Sequence, residues 1–272
     1  MTSSGVAPRQ EGGAALRLLR DGELTVEGRL VDASNTTLRA LLTLDGVSAR
    51  CVYKPVRGER PLWDFPEGTL AGREVAAYLV SAATGWDLVP PTVLRDGPLG
   101  PGSCQLWIDE PPDSEPLVGF VPADSVPARW FPIAAARDDD GTAYALAHAD
   151  DPRLARLALL DAVINNADRK GGHVLVGPDD RIHGVDHGVS FHVDEKLRTV
   201  LWGWADRSLP DDAVDMLARL SRQLAGPLGA DLAEHLTRGE TAALAARIDR
   251  LRESCRFPRP SQDWPAVPWP PL

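Results

Sequence analysis

The chain has 272 residues, enough for one large domain or two small lobes, and its 43% hydrophobic content can supply a core. Its 29 basic residues face 39 acidic ones, and a formal charge of −10 disfavours non-specific attachment to nucleic acid or to an anionic membrane surface. No apolar run approaches the roughly 20 residues that cross a bilayer, and the opening MTSSGVAPRQEGGAA lacks the basic start and apolar stretch of a secretory signal.

The three dispersed cysteines, Cys51, Cys104 and Cys255, suit a reduced setting, so a cytoplasmic protein is expected, with no nucleic-acid partner and no stable membrane association. Residues 1–14 are small, polar and Gly-rich and read as a flexible leader. From Leu24 the runs LTVEGRLVD, LRALLTL and VSARCVYKP predict three strands, the last two joined at Asp45-Gly46, with Lys54 near the end of the third. AGREVAAYLVSAATGW repeats Val75, Tyr78, Leu79 and Ala82 at helical spacing and stops at Gly85. DLVPPTVLRDG and GSCQLWIDEP read as two further strands, so residues 15–108 are expected to form a five-stranded antiparallel sheet carrying one helix.

The Pro-, Ala- and Asp-rich stretch 110–151 has no clear period, and a lobe boundary falls at its start. DPRLARLALLDAVINNA, with Pro152 in its first turn, predicts a buried helix that delivers the chain to Asp168. HVLVG and IHGVD flank Pro178-Asp179-Asp180 as a small hairpin, and 211–256 has the pattern of amphipathic helix. The tail 257–272, FPRPSQDWPAVPWPPL, holds too many prolines for a helix and suits an extended strand docked on the protein's own body or on a partner.

The segment from Asn165 to Phe191 concentrates polar groups around that hairpin. If the two short strands pair, Asp168 and His173 lie just before the first and Asp186 just after the second, so the three converge at one end. Such a cluster fits Mg²⁺, which takes one or two protein carboxylates and completes its octahedron with water and phosphate oxygens. Gly171-Gly172 and Gly188 admit close backbone approach. His173, His183, His187 and His192 lack an H-E-x-x-H context and a nearby cysteine, which argues against structural zinc. Trp202 and Trp204 read as packing within the lobe or, as the alternative, as a docking surface.

Asp168-Arg169-Lys170-Gly171-Gly172-His173 resembles the D-R-x-x-x-N catalytic loop of phosphatidylinositol 3- and 4-kinases, their bacterial relatives and, more broadly, the HipA-like bacterial kinases. Asp186-His187-Gly188 stands where kinases carry Asp-Phe-Gly. The resemblance implies an α+β, two-lobed protein-kinase-like fold of the phosphatidylinositol-kinase type, with a small antiparallel-sheet N-lobe over 15–108 and a mainly helical C-lobe over 109–256. It implies Lys54 as the phosphate-gripping lysine, Glu74 as its ion-pair partner, Asp168 and Arg169 as catalytic groups, and Asp186 and His173 as metal ligands. Ser34, Asn35 and Thr36 would belong to the phosphate-covering loop, and Leu106, Trp107 and Ile108 to the adenine wall.

Two positions depart from the family: His173 replaces its metal-binding Asn, and Lys170 replaces its His. Imidazole suits Mn²⁺ better than Mg²⁺, so metal preference or activity is altered. The expected function is ATP-dependent phosphotransfer with Mg²⁺ or Mn²⁺ to a hydroxyl of a protein or small molecule. The rival readings are a nucleotide-binding pseudokinase and an adenylyl transferase.

Overall fold

Alternation of apolar residues sets the geometry of the first lobe. The computed structural model describes residues 8–30, 35–65 and 68–272. Strands β1 (Glu23–Arg29), β2 (Leu38–Leu44), β3 (Val47–Pro55), β4 (Thr92–Gly97) and β5 (Gly100–Leu106) form one antiparallel sheet in the order β1-β2-β3-β5-β4. Ala40 and Leu42 of β2, Cys51 of β3, Val93 of β4 and Cys104 of β5 form a cluster with Leu18 and Leu19 of helix α1 (Pro8–Asp21). Burying each leucine contributes about 1.5–3 kcal/mol.

That helix corrects the expected leader over 1–14. Residues 1–7 lie outside the described residues, but the chain is helical from Pro8. Because β3 has a period of two, Cys51 toward α1 puts Lys54 on the opposite face, toward helix α2 (Leu70–Thr84). The Thr69 hydroxyl accepts from Gly72 N at 2.9 Å to start α2, and Gly85 at φ 75° ends it.

The second lobe is built on helices α3 (Pro152–Ile164), α4 (Asp211–Leu224), α5 (Pro227–Leu232) and α6 (Arg238–Ser254). Leu157, Leu160, Met216, Leu220, Leu244 and Ile248 lie in its core, which continues into Ala77 and Val80 of α2. The lobe is less purely helical than expected. Residues 118–149 form a three-stranded antiparallel sheet of β6 (Val118–Pro122), β7 (Trp130–Arg137) and β8 (Ala143–Ala149), ordered β6-β8-β7. Strands β9 (Val174–Val176) and β10 (Ile182–Gly184) pair antiparallel as the expected hairpin. Among the described residues no helix is long and apolar enough to cross a membrane.

The tail runs along the second lobe. The Ala266 carbonyl accepts from Thr199 N at 3.0 Å and from Trp202 Nε1 at 2.8 Å, and the Pro271 carbonyl accepts from Gly171 N at 2.8 Å. Its last residues therefore rest on the loop that carries Asp168. A Cβ at Gly171 would fall 2.5 Å from a terminal methyl of Leu272, so a larger residue there would make that side chain shift. Trp204 is buried edge-on against Phe131 at 5.5 Å, as packing requires.

Candidate active site

A cleft of about 180 Å³ separates the lobes. Lys54 and Glu74 enter it from the first lobe, and Asp168, Lys170, His173 and Asp186 from the second, with Asn35 and Thr36 also in its lining. The Lys54 ammonium donates to Asp186 Oδ1 at 2.7 Å and also to Glu74 Oε1. Glu74 is 3% exposed, and its second oxygen accepts from His187 N at 3.0 Å. One buried carboxylate therefore holds both the lysine and the loop after Asp186. Burial alone would push Lys54 down, but the Asp186 and Glu74 carboxylates raise it above the usual lysine range. The same Lys54 charge holds Asp186 below the usual carboxylate range, so both groups are ionised at neutral pH.

Helix α3 delivers Asp168. Asn165 ends the helix at φ 56°, and Asn166 Oδ1 accepts from Asp168 N at 3.0 Å. Asp168 Oδ2 lies 3.4 Å from Lys170 Nζ. Burial raises the Asp168 carboxyl, while Lys170 opposes the rise. His173 Nε2 lies 3.4 Å from Asp186 Oδ2, and burial lowers its imidazole to about 4, so it is neutral at pH 7. Among the described residues no group of three or more His, Cys, Asp or Glu gathers tightly enough to hold a metal alone. Asp186, with neutral His173 beside it and Asp168 lining the same cleft, fits an ion that brings phosphate oxygens and water with it.

Arg169, expected as a catalytic group, cannot touch a ligand here because its side chain is wholly buried. Its Nε and Nη2 donate to Asp161 at 2.8 and 3.0 Å, and Nη1 donates to the carbonyls of His173 and Val185 at 3.1 and 2.8 Å. Nη2 also meets His187 Nε2 at 2.7 Å, so the imidazole accepts. Gly184 makes room for this network, since a Cβ there would lie 3.0 Å from the guanidinium and 2.7 Å from Leu157. Arg169 is a positioning residue that joins the Asp168 loop to the Asp186 loop.

The expected adenine wall is not drawn into the cleft. Leu106 packs with Cys51 and Cys104 toward α1, the opposite sheet face from Lys54, and neither Trp107 nor Ile108 is among the residues lining the cleft. Ser34 lies outside the described residues. Sequence reasoning did not assign Lys170 to the site; its signal was the departure from the family pattern beside Asp168. Glu59 was missed as well. It lines the cleft, and its carboxylate accepts from Leu70 N at 3.0 Å and Ala71 N at 2.8 Å at the start of α2.

No protein-family model matches the chain. It is 50% identical over 261 residues to protein Rv2133c of Mycobacterium tuberculosis (strain ATCC 25618 / H37Rv), across 93% of this chain and 94% of the relative. The solved structure of the Golgi casein kinase with Mn/ADP bound matches with a TM-score of 0.55 at 14% identity, over 92% of this chain and 76% of that one. Hydra Fam20 with sugar matches with a TM-score of 0.54 at 16% identity, over 92% and 89%. The fold is therefore the two-lobed, mixed α+β fold of kinases.

Proposed function

For this chain, which belongs to the same family as the Mycobacterium tuberculosis protein Rv2133c, we propose ATP- and divalent-metal-dependent transfer of a phosphoryl group to a hydroxyl of a protein or small molecule. The observation that carries this reading is Lys54, bridging Glu74 of its own lobe and Asp186 of the other in the cleft that Asp168 also lines. Phosphoryl transfer asks a protein mainly to position groups and neutralise phosphate charge. Lys54 would hold phosphate oxygens, oriented by Glu74. Asp186 and His173 would hold the metal, which when bound withdraws charge from the phosphates. Asp168 would orient the acceptor hydroxyl and take its proton, with Lys170 keeping that carboxyl ionised.

A neutral imidazole beside Asp186 supports Mn²⁺ over Mg²⁺. The Golgi casein kinase match, whose structure holds Mn and ADP, supports the same pairing of nucleotide and metal. The D-R-x-x-x-H loop supports kinship with the phosphatidylinositol-kinase type, while the net charge of −10 favours an acceptor other than a membrane lipid. Incubation with ATP labelled separately at the α and γ positions, with Mn²⁺ or Mg²⁺, tests the reading. Label from γ in a product, lost in Asp168→Asn, is expected. Label from α would support adenylyl transfer, and nucleotide binding with neither product would support a pseudokinase.

A further inference from the structure

We propose that a second cleft, on the helical lobe, binds a phosphate monoester. This cleft of about 420 Å³ shares no lining residue with the nucleotide cleft. Arg247, Arg250, Arg256 and Arg259 line it, against two carboxylates, Glu195 and Asp206, in a chain whose net charge is −10.

Three of these arginines have ordinary explanations. Arg250 pairs with Glu195, Arg259 pairs with Asp206 at 2.7 Å, and Arg256 donates to the Asp206 carbonyl. Such exposed pairs contribute little, and cations near the end of α6 offset the negative pole of the helix. Arg247 is different. It is 3% exposed, its Nε donates to Val163 O at 3.2 Å and its Nη1 to His192 O at 3.0 Å. Its Nη2 is buried with no hydrogen-bond partner, and among the described residues Arg247 forms no ion pair. Burial lowers this guanidinium to about 10, and the carboxylates of Glu195 and Glu240, each already paired with another arginine, offset that only in part.

A buried guanidinium with an unmet N–H is costly, and an oxyanion supplies the missing acceptor together with a direct ion pair. The guanidinium fork matches phosphate oxygens two at a time, which distinguishes this site from a general basic patch. The remaining lining is apolar, with Leu197, Leu251, Phe257 and Pro258. That floor would take the carbon portion of an ester, which free phosphate lacks, and so favours the monoester.

The proposal does not rest on the phosphotransferase reading, and the test keeps the two apart. Phenyl phosphate and inorganic phosphate are titrated calorimetrically into the full chain at constant ionic strength. The variants are Arg250→Gln/Arg256→Gln, at exposed positions that leave the core intact, and Lys54→Met. Phenyl phosphate is expected to bind at least ~10-fold more tightly than inorganic phosphate, through the apolar floor. The double arginine variant should weaken it by ~10-fold or more, and Lys54→Met should leave it unchanged. Absence of saturable binding, binding lost only in Lys54→Met, or no preference over inorganic phosphate would each overturn the assignment.

Discussion

Replacing Arg169 by methionine would remove five hydrogen bonds and leave Asp161, fully buried in the last turn of α3, with Asn166 Nδ2 at 2.9 Å as its remaining side-chain donor. Breaking one partner from a buried ion pair costs about 3–5 kcal/mol, because the other charge is stranded. For a chain of this size each kcal/mol corresponds to roughly 2–4 °C, so the melting midpoint should fall by ~6–20 °C. The double variant Arg169→Met/Asp161→Leu removes the stranded carboxylate, but the carbonyls of His173 and Val185 still lose their donor. It should therefore recover roughly half the loss. Urea unfolding followed by tryptophan fluorescence reads both variants, with ADP affinity measured alongside. A loss under about 1 kcal/mol in the single variant, together with abolished ADP binding, would refute the positioning role and return Arg169 to the ligand.

Asp186→Ala should abolish metal-dependent nucleotide binding, measured with a fluorescent ADP analogue; affinity unchanged in Mn²⁺ and Mg²⁺ would count against the site. His148 is buried and neutral, its Nδ1 donating to Ala149 O at 2.9 Å and its Nε2 accepting from Gly203 N at 3.0 Å. Burial lowers its pKa, so below about 6.5 the unfolded chain takes up a proton that the folded chain refuses. Stability from this residue is complete above that pH and should fall by up to ~2 kcal/mol by pH 5, less in His148→Gln; equal pH profiles for the two proteins would contradict the account. Removing residues 264–272 deletes the acceptors for the Gly171 and Thr199 amides. Their hydrogen exchange should accelerate by ~10-fold or more, and unchanged protection would show that the tail does not steady the Asp168 loop.

Much of the fold was legible because period and burial agree. LRALLTL and VSARCVYKP alternate, and they form β2 and β3 at those residues. The strands within 118–149 were not legible. In β7, Ala134, Ala135 and Ala136 are small, Pro132 adjoins a bulge, and most positions are exposed or half-buried, so no alternating face is written there. Helix α1 was hidden by Gly12-Gly13, which lower helix propensity, while Leu18 and Leu19 hold the helix to the sheet. At the site, proximity of Asp168, His173 and Asp186 followed from one hairpin. Burial of Arg169 depends on Asp161, Gly184 and His187, whose convergence no local pattern announces. Leu106 was misjudged because register against Cys51, a tertiary property, decides which sheet face it occupies.

Asp186 sits at φ 60°, a left-handed conformation that costs a non-glycine residue about 1–2 kcal/mol. Bonds on both sides hold it there. Before it, Val185 N donates to His173 O at 3.0 Å, and the Val185 carbonyl accepts from Arg169; after it, His187 N donates to Glu74. Glu74 therefore fixes the Asp186 loop and Lys54 together, and only while α2 stays docked. The preceding residue supplies that docking: Arg73 pairs with Glu240 of α6 at 2.6 Å, with both side chains nearly buried. Glu240 in turn closes the capping box at Thr237 that begins α6. Adjacent residues of one helix thus grip the helical lobe at two points, one structural and one at the cleft between the lobes. Displacing α2 would release the lysine, the strained aspartate and the start of α6 in a single movement, which makes the position of α2 the property on which the geometry of the site depends.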